Sequence, residues 1–542
     1  MTRFNRLRLG LFAKLMLAFL VVIVGGGLLA ISLTRRTLAG EFTIYTTTNQ
    51  EQQAEALAPL LGSYYAGQGS WLGVDSLLTT TGENTMGNMM GDGSDNMMGG
   101  MMMGGRWQEQ SDMAWWPGMW TISNRVLVVD NNTTDPALWM PVEAHVATLG
   151  ANFRFFHLPK WPGFKAGALN FALGQTDARA EVVGVVDADY VVERDWLSVL
   201  VPHFLDSPEV AVVQAPQAHR DWAGQAFRRM CNWEFDGFFR IGMHHRNERN
   251  ALIQHGTMTL VRRSQLEDHG AWSEWCICED TELGLRLIKQ GLDTRYVDHV
   301  LGRGLTPSDF AAIKSQRFRW AFGAMQILKR HLPSLLGGGR MTIAQRYHFL
   351  TGWFQWLGDA LQLVFVFASL AWTLGILVKP AAFGLPVVTL ALPVLGFMVF
   401  KAALGPILYR RTMACPWTDI LGASVLSVGL SHAIARGIFA GIIKRRGEFV
   451  RTPKSWKAKG RLAFFSPIRE EIGLLVALLL AAAALFWTQD AQAMEARVWI
   501  GILLMQTLPY VGAILCQFAA YLPDRGAPAQ GAPAVEAQPA AV

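Results

Sequence analysis

Two aspartates, Asp187 and Asp189, close the apolar run Val182–Tyr190, VVGVVDADY. An unbroken stretch of β-branched residues predicts a buried strand of a parallel sheet. Alternation along it gives both carboxylates one sidedness, so they can converge on a point at its C-terminal end. In open α/β sheets that edge is where ligands bind. Two hard oxygen ligands there suit Mg²⁺ or Mn²⁺ carrying a phosphorylated substrate. A strand that simply ends in an acidic turn would leave the same residues.

A second acidic pair, Glu279-Asp280, sits in EWCICEDTELGLRLIKQG. Leu283, Leu287 and Ile288 share one helix face and Gly291 supplies the stop. The acids then stand at the helix mouth, facing the same sheet edge if the strands run parallel. Plain capping of a first turn explains them equally well; the chemical reading is that Asp280 takes a proton from an attacking sugar hydroxyl. A third piece is QRFRW, Gln316–Trp320, on a helix for which Ser308, behind Pro307, is the expected N-cap. Gln316, Arg319 and Trp320 fall on one face. An indole offers a platform for a sugar ring, and an arginine can neutralise a leaving diphosphate. A buried Trp beside an ion-paired Arg is the structural alternative.

The elements that must hold these groups begin at Arg125, where strand and helix patterns alternate as in a parallel α/β sheet. RVLVVD (Arg125–Asp130) reads as a strand, NNTTDP as a loop, Pro136–Gly150 as a helix and Phe153–His157 as a strand. In WPGFKAGALNFAL, Gly163 and Gly167 bracket Lys165 at a helix start, which is either a diphosphate cradle or an ordinary loop. Val210–Ala215 and Gln254–Arg263 supply two more strands.

In this order, Asp130, Lys165–Gly167 (KAG), Asp187–Asp189 (DAD), Glu279-Asp280 (ED) and QRFRW resemble the motifs of the processive family 2 glycosyltransferases. The texture is that of the bacterial β-glucan synthases of the cellulose-synthase-like group, over about residues 122–522. DNNTTDP, GFKAGALNFAL, IQHGTMTLVRR and QRFRWAFGAMQILKR all carry it. The resemblance implies an α/β GT-A-like domain with an α-helical transmembrane region, a UDP-sugar donor and a glucan acceptor. It implies that Asp130 and Lys165 contact UDP with Asp187 and Glu279 beside them, and that Asp189 holds the metal. Asp280 is then the base, while Gln316, Arg319 and Trp320 hold donor pyrophosphate and acceptor sugar. FVRTPK (Phe449–Lys454) resembles the F-x-V-T-x-K gating loop, which adds Thr452 and Lys454 to the substrate-binding set. A basic loop at the membrane surface would read the same way.

Three departures stand out. Cys278 replaces the threonine of the family's T-E-D, and Arg451 the valine of its gating loop. The family's first strand and its P-x-Y-N-E turn are absent, which would expose sheet edges and remove part of the uridine pocket.

Composition sets the frame. The chain has 542 residues, of which 17% are charged, and a positive mean hydropathy of +0.22. These point to a membrane protein with a soluble part. The net charge of +6 suits anionic lipid and a polyanionic donor, and no nucleic-acid motif accompanies it. Five scattered cysteines argue against a disulfide framework, and Cys276 with Cys278 lacks the second pair of a zinc site.

Residues 1–40 read as an uncleaved anchor, basic at Arg3, Arg6, Arg8 and Lys14 and apolar over Leu15–Leu33. With residues 41–81, notably LAPLLGSYYAGQGSW, it resembles the input region of membrane sensor histidine kinases, though no kinase motif follows. Residues 82–120 are a Gly/Met-rich linker expected to be disordered; its thioethers are also a set that soft Cu(I) accepts. The transferase domain is expected over 121–330 and transmembrane and interfacial helices over 331–522. Spans are expected at about Gly352–Val378, Leu385–Leu408, Ile472–Trp487 and Val498–Phe518. Leu332–Arg346 and Ile420–Ile443 are expected in the interface, 444–469 as a cytoplasmic gating segment and 523–542 as a disordered tail.

The basic flank puts Gly40 onward outside. A cytoplasmic donor puts the transferase inside, and no span separates Gly40 from Ile122. An inverted first anchor reconciles the two.

The expected protein is a multi-pass enzyme of a bacterial inner membrane, with its catalytic domain cytoplasmic and accessory subunits in the membrane or periplasm. It transfers glucose from UDP-glucose to a growing β-glucan with inversion. A non-processive transferase with a lipid-linked acceptor, or a non-catalytic sensor/transferase fusion, is the alternative.

Overall fold

The computed structural model describes residues 125–205, 207–337, 339–444, 464–489 and 493–523. The N-terminal anchor with its orientation, the sensor-like segment, the linker, the gating residues Thr452 and Lys454, and the tail lie outside the described residues. The chain divides after Ser123 into two units, and every described residue belongs to the second.

This unit opens with β1 (Val126–Asn131), α1 (Pro136–Thr148) and β2 (Phe153–Leu158). Asp135 caps α1 by accepting from the Ala137 amide, and Pro136 sits where a missing N–H costs nothing. The two strands pair in parallel, Val126 opposite Phe153 through Asn131 opposite Leu158. Then follow α2 (Phe164–Gly174), β3 (Val182–Val185), β4 (Val191–Val192), β5 (Val210–Gln214) and β6 (Ala218–His219). Next come α3 (Ala226–Gly237), β7 (Thr259–Arg262), α4 (Glu279–Lys289), β8 (Asp293–Tyr296), β9 (Gly302–Gly304) and α5 (Phe310–Leu336).

The central sheet has the order β3-β7-β5-β8. It is mixed, not parallel: β7 runs antiparallel to both neighbours, while β5 and β8 are parallel. An apolar run marks a strand but carries no direction, so the sequence pattern could not reveal this reversal. β5 is buried on both faces. Val212 and Val261 meet Ala166, Leu173, Leu283 and Leu287 from α2 and α4; on the other face Val213 and Leu260 meet Trp196, Leu200 and Phe204. β4, β9 and β6 form a separate three-stranded ribbon.

Among the described residues β1 and β2 are a sheet of their own, and β3 pairs only with β7. α2 bridges the two sheets. Asn131 Nδ2 donates to the Phe164 carbonyl at 2.8 Å, and Leu169 packs on the same buried cluster as Val183 and Val185. Near the start of β1, Arg125 reaches Asp177 at 3.3 Å. α1 covers little apolar surface, and Leu138, Met140 and Val142 stay exposed.

The helical half comprises α6 (Ile343–Val378), α7 (Val388–Thr412), α8 (Trp417–Gly429), α9 (Ser431–Ile443), α10 (Arg469–Thr488), α11 (Met494–Met505) and α12 (Leu508–Tyr521). Five stretches among the described residues are long and apolar enough to cross a membrane: Trp356–Val378, Ala391–Thr412, Trp417–Ile443, Ser466–Thr488 and Met494–Tyr521. They are consistent with a multi-pass membrane protein. Trp417–Ile443, which contains the stretch Ile420–Ile443 expected in the interface, meets the criteria of a span by length and composition. It is nevertheless broken at Leu430 into two helices of 13 residues each. The segment Leu332–Arg346, expected in the interface, comprises the end of α5 and the capping box Thr342–Gln345 that opens α6. Polar side chains tie apolar helices together: Trp499 Nε1 donates to Thr373 Oγ1 at 3.1 Å, and Gln506 Nε2 to Ser369 Oγ at 2.9 Å.

Candidate active site

Lys165 is the second residue of α2. Gly167 allows the approach that sets it, because a Cβ there would lie 2.0 Å from the Pro162 carbonyl oxygen. Lys165 Nζ donates to Asp187 Oδ1 at 2.6 Å and to the Gly256 carbonyl at 2.8 Å. Asp280 reaches the same point. A Cβ on Gly256 would stand 2.9 Å from Lys165 Nζ and 3.0 Å from Asp280 Oδ2. Groups up to 115 residues apart in sequence thus share one small volume.

The DAD segment differs from expectation. β3 ends at Val185 and the chain turns, with the Tyr190 amide donating to the Asp187 carbonyl at 2.9 Å. Strand alternation therefore does not govern Asp187 and Asp189, and their carboxylates take different partners. Asp187 faces Lys165, and its amide donates to Thr257 Oγ1 at 3.0 Å. Asp189 Oδ2 accepts from the Leu305 amide at 3.1 Å. Both carboxylates nonetheless act on Tyr190, whose hydroxyl pKa is raised by burial and then by their charge.

Glu279 and Asp280 open α4, with Glu279 buried. The Thr281 amide donates to Asp280 Oδ1 at 2.7 Å, and Thr281 Oγ1 to the Gln254 carbonyl at 3.1 Å. Burial, then the charge of Asp280, pushes the Glu279 carboxyl up to about 7 against the pull of Lys165. Burial also raises Asp280, again against Lys165. Burial works to lower the Lys165 ammonium, but Asp187, Glu279 and Asp280 outweigh it and its pKa rises. The site concentrates negative charge around one lysine.

α5 brings the third piece. Its cap is Asp309, which accepts from the Ala312 amide at 2.9 Å, and not Ser308; Ser308 is buried. Arg319 belongs to the acidic cluster: burial lowers its pKa while Cys278, Glu279, Asp187 and Asp280 work to raise it. Cys278 packs into α5 where Gly323 leaves room, since a Cβ there would lie 2.4 Å from its sulfur. Trp320 looks elsewhere. It packs with Phe235 at 6.4 Å between ring centroids, and the Arg317 guanidinium lies 4.4 Å from its ring centre. Arg317 is ion-paired with Glu234, so the ion-paired arginine beside the half-buried Trp320 is Arg317, two residues before Arg319. Gln316 is half-buried on α5.

Asp130, at the end of β1, accepts from Thr133 Oγ1 at 2.6 Å and pairs with His157 Nδ1 at 2.8 Å. It stands near the head of α2 through its neighbours: the Trp161 amide donates to Asn132 Oδ1 at 2.7 Å.

The segment before β7 was missed as part of the site. Gly256 and Thr257 hold Lys165 and Asp187, and Gln254 holds α4. A glycine inside an apolar strand pattern is a sign of close backbone approach, and Gly256 carried that sign. The cost appears next door, where Met258 adopts φ 56°, a region unfavourable to a side chain. His255, beside Gly256, is held neutral by burial, which pushes its pKa down to about 4.

Residues 182–405 match the family model for glycosyl transferase family group 2, and residues 10–151 match that for a Cache-like sensory domain, BaeS-type. A family 2-like glycosyltransferase domain is present in the chain, with a separate Cache-type sensory domain. Over 241 residues the chain is 28% identical to probable glucomannan 4-beta-mannosyltransferase 1 of Arabidopsis thaliana, covering 44% of each protein. Over 240 residues it is 25% identical to probable glucomannan 4-beta-mannosyltransferase 2 of Oryza sativa subsp. japonica, covering 43% of this chain and 41% of the relative. The chain thus spans about half, or less, of the length of these relatives. Among solved structures it is similar to the mannosyltransferase PcManGT from Pyrobaculum calidifontis in complex with GDP-Man and Mn²⁺. That likeness has 21% identity and a TM-score of 0.38, covering 56% of this chain and 76% of that one.

Proposed function

We propose that this chain is a sensor/transferase fusion whose transferase half is an active membrane glycosyltransferase using a nucleotide-sugar donor. The Cache-type match over 10–151 favours the fusion over a plain polymer synthase. The observation that carries activity is the meeting of Lys165, Asp187 and Asp280 around the bare Cα of Gly256. A vestigial domain would have no reason to keep a buried excess of carboxylates, each of which costs stability unless it is paired.

In the proposed step Asp280 Oδ2 accepts the proton of the acceptor hydroxyl, whose oxygen bonds to the anomeric carbon from the face opposite the donor diphosphate. The bond from that carbon to the diphosphate oxygen breaks, and the nucleoside diphosphate leaves with the electron pair. Burial, by raising the Asp280 pKa, makes it a stronger base. Arg319 and Lys165 supply positive charge where the leaving group gains negative charge.

Asp187 and Asp189 are half-buried hard-oxygen donors. Among the described residues no group of three His, Cys, Asp or Glu could hold an ion unaided. That fits Mg²⁺ or Mn²⁺, which is commonly bound by one or two carboxylates together with substrate phosphates. Asp189, with Asp187 beside it, would hold the ion, whose charge would stabilise the departing diphosphate.

The finer reading keeps UDP-glucose as donor and β-glucan as product, made on the cytoplasmic side of a bacterial inner membrane. Asp130, Glu279, Gln316, Trp320, Thr452 and Lys454 would line the donor and acceptor path. The names of the relatives, glucomannan 4-beta-mannosyltransferases, support β-mannosyl transfer as the second reading. The split between β1–β2 and β3 leaves two strand edges unpaired among the described residues, which supports the absence of the family's first strand.

Membranes holding the full chain, incubated with Mg²⁺ and radiolabelled UDP-glucose or a labelled mannosyl donor, test the proposal. Incorporation should fall about 10²–10⁴-fold in Asp280→Asn, and linkage analysis of the product decides between glucan and mannan. Equal incorporation by wild type and Asp280→Asn would overturn the mechanism.

A further inference from the structure

We infer that Gln326 is a positioning residue for the acidic cluster: from α5 it holds the backbone that delivers Glu279 and Asp280, and so sets where they stand relative to Arg319. Its consequence for rate rests on the transferase reading; its consequence for the cluster itself does not.

Gln326 lies seven residues beyond Arg319 and three beyond Gly323, so at 3.6 residues per turn the three share one face of α5. The segment Trp275–Cys278 runs along that face. The Ile277 amide donates to Gln326 Oε1 at 3.2 Å, and Gln326 Nε2 donates to the Trp275 carbonyl at 3.1 Å. One side-chain amide thus satisfies two backbone groups that a neighbouring strand would otherwise take. Next along, a Cβ on Gly323 would lie 2.9 Å from Cys278 Cβ and 3.3 Å from Ile277 Cγ1. Glu279 and Asp280 follow directly.

α4 does not fix its own mouth. Its N-cap, Cys278, makes no side-chain cap, and a helix start without one depends on outside partners. The Gln254 carbonyl is one such partner, accepting from Thr281 Oγ1, and Gln326 is another. The body of α4 is docked on α5 separately, where His331 Nε2 lies 3.0 Å from Glu282 Oε1. Losing Gln326 would therefore loosen the mouth and leave the helix in place.

Packing alone does not call for a glutamine here. Gln326 is 4% exposed, among the buried Phe322, Ala324, Met325 and Ile327, and a methionine of similar volume would fill the space. A buried amide costs stability unless it is bonded. What it gains in return is direction, which an apolar contact lacks.

The test uses membranes holding the full chain, Mg²⁺ and the labelled sugar donor that the wild type accepts. Gln326→Met should lower kcat by about 10–100-fold, with the donor KM within about threefold because Lys165 and Asp187 stand on other elements. Gln326→Glu has the same reach; ionised it only accepts, protonated it also donates. Its kcat relative to wild type should exceed that of Gln326→Met and rise as pH falls. A residue that only filled space would give the reverse order.

A second measurement, on the purified chain in detergent, needs no catalysis. Burial, then the charge of Asp280, holds the Glu279 carboxyl up at about 7, and a loosened mouth admits water. The gain in thermal midpoint that Glu279→Gln brings at about pH 8 should therefore vanish in the Gln326→Met background. Unchanged kcat in Gln326→Met, Gln326→Met faster than Gln326→Glu, or an additive midpoint cycle would each overturn the inference. If the wild type transfers neither sugar, the transferase reading fails and the midpoint cycle alone decides this one.

Discussion

At the scale of single residues, Glu279 and Asp280 share one buried helix start, and both carboxyls are pushed above their ordinary range. As pH falls through about 7 Glu279 takes up a proton, and Asp280, whose pKa is also raised by burial, loses its capacity as a base when it is protonated in its turn. The rate of sugar incorporation should therefore show an acid limb displaced above the ordinary carboxylate range, because burial raises the Asp280 carboxyl. Stability follows the opposite sign. A carboxyl whose folded pKa is raised binds its proton more tightly in the native state, so its contribution is lost as pH rises from the ordinary 4.5 through about 7. Glu279→Gln should raise the thermal midpoint by about 2–4 °C at about pH 8 and leave it nearly unchanged at about pH 4. A midpoint gain that is the same at both values would refute the assignment. Gly256→Ala probes the geometry instead. Its new Cβ would stand 2.9 Å from Lys165 Nζ and 3.0 Å from Asp280 Oδ2. A displacement of a few tenths of an ångström is expected to cost about 10–100-fold in rate with little change in midpoint.

At the scale of elements, α5 is positioned by a close helix contact. Gly437 and Gly441 of α9 lie four apart and face it. A Cβ on Gly437 would fall 2.6 Å from the Phe318 carbonyl oxygen, and one on Gly441 2.9 Å from that of Phe322. This is the small-residue packing common between membrane helices, and it fixes the helix turns that carry Arg319 and Trp320. Gly437→Leu should destabilise the fold by about 1–3 kcal/mol in detergent unfolding and lower transfer activity. Gly396→Leu on α7, where nothing lies within 4 Å, should do neither. The G-x-x-x-G spacing is visible in GIFAG, but the spacing alone does not say which helix packs against it. The motifs themselves were legible because chemistry restricts residue type: Lys165, Asp187, Asp280 and Arg319 do come together. Their directions were less so. Trp320 turns toward Phe235 because packing selected one side of α5, and Asp189 departs from strand geometry because the turn begins two residues after Val185. Ser and Asp cap about equally well, so nothing local distinguished Ser308 from Asp309.

At the scale of the whole described unit, α5 joins the mixed-sheet half to the apolar helices through charge as well as packing. Arg317 pairs with Glu234 of α3, and Lys314 with Glu471 at the start of α10. Arg229 of α3 in turn meets Asp419 of α8 at 2.7 Å. Hydropathy could reveal the helical half but not these couplings, since a lone charge near an apolar run reads as a membrane-surface residue. The Lys314–Glu471 pair is nearly dry, with 15% and 1% of the two side chains exposed. Removing one partner leaves an uncompensated buried charge, a loss of about 3–5 kcal/mol, whereas replacing both by apolar groups of similar volume is often neutral. Lys314→Met should therefore unfold at markedly lower temperature, and Lys314→Met with Glu471→Met should recover most of the loss. The cycle is read by thermal unfolding of the full chain in detergent. Transfer activity supplies the decisive comparison. If the pair serves only to fill space, the double variant regains rate along with stability. If it sets the tilt of α5 over the acidic cluster, stability returns while the rate stays low.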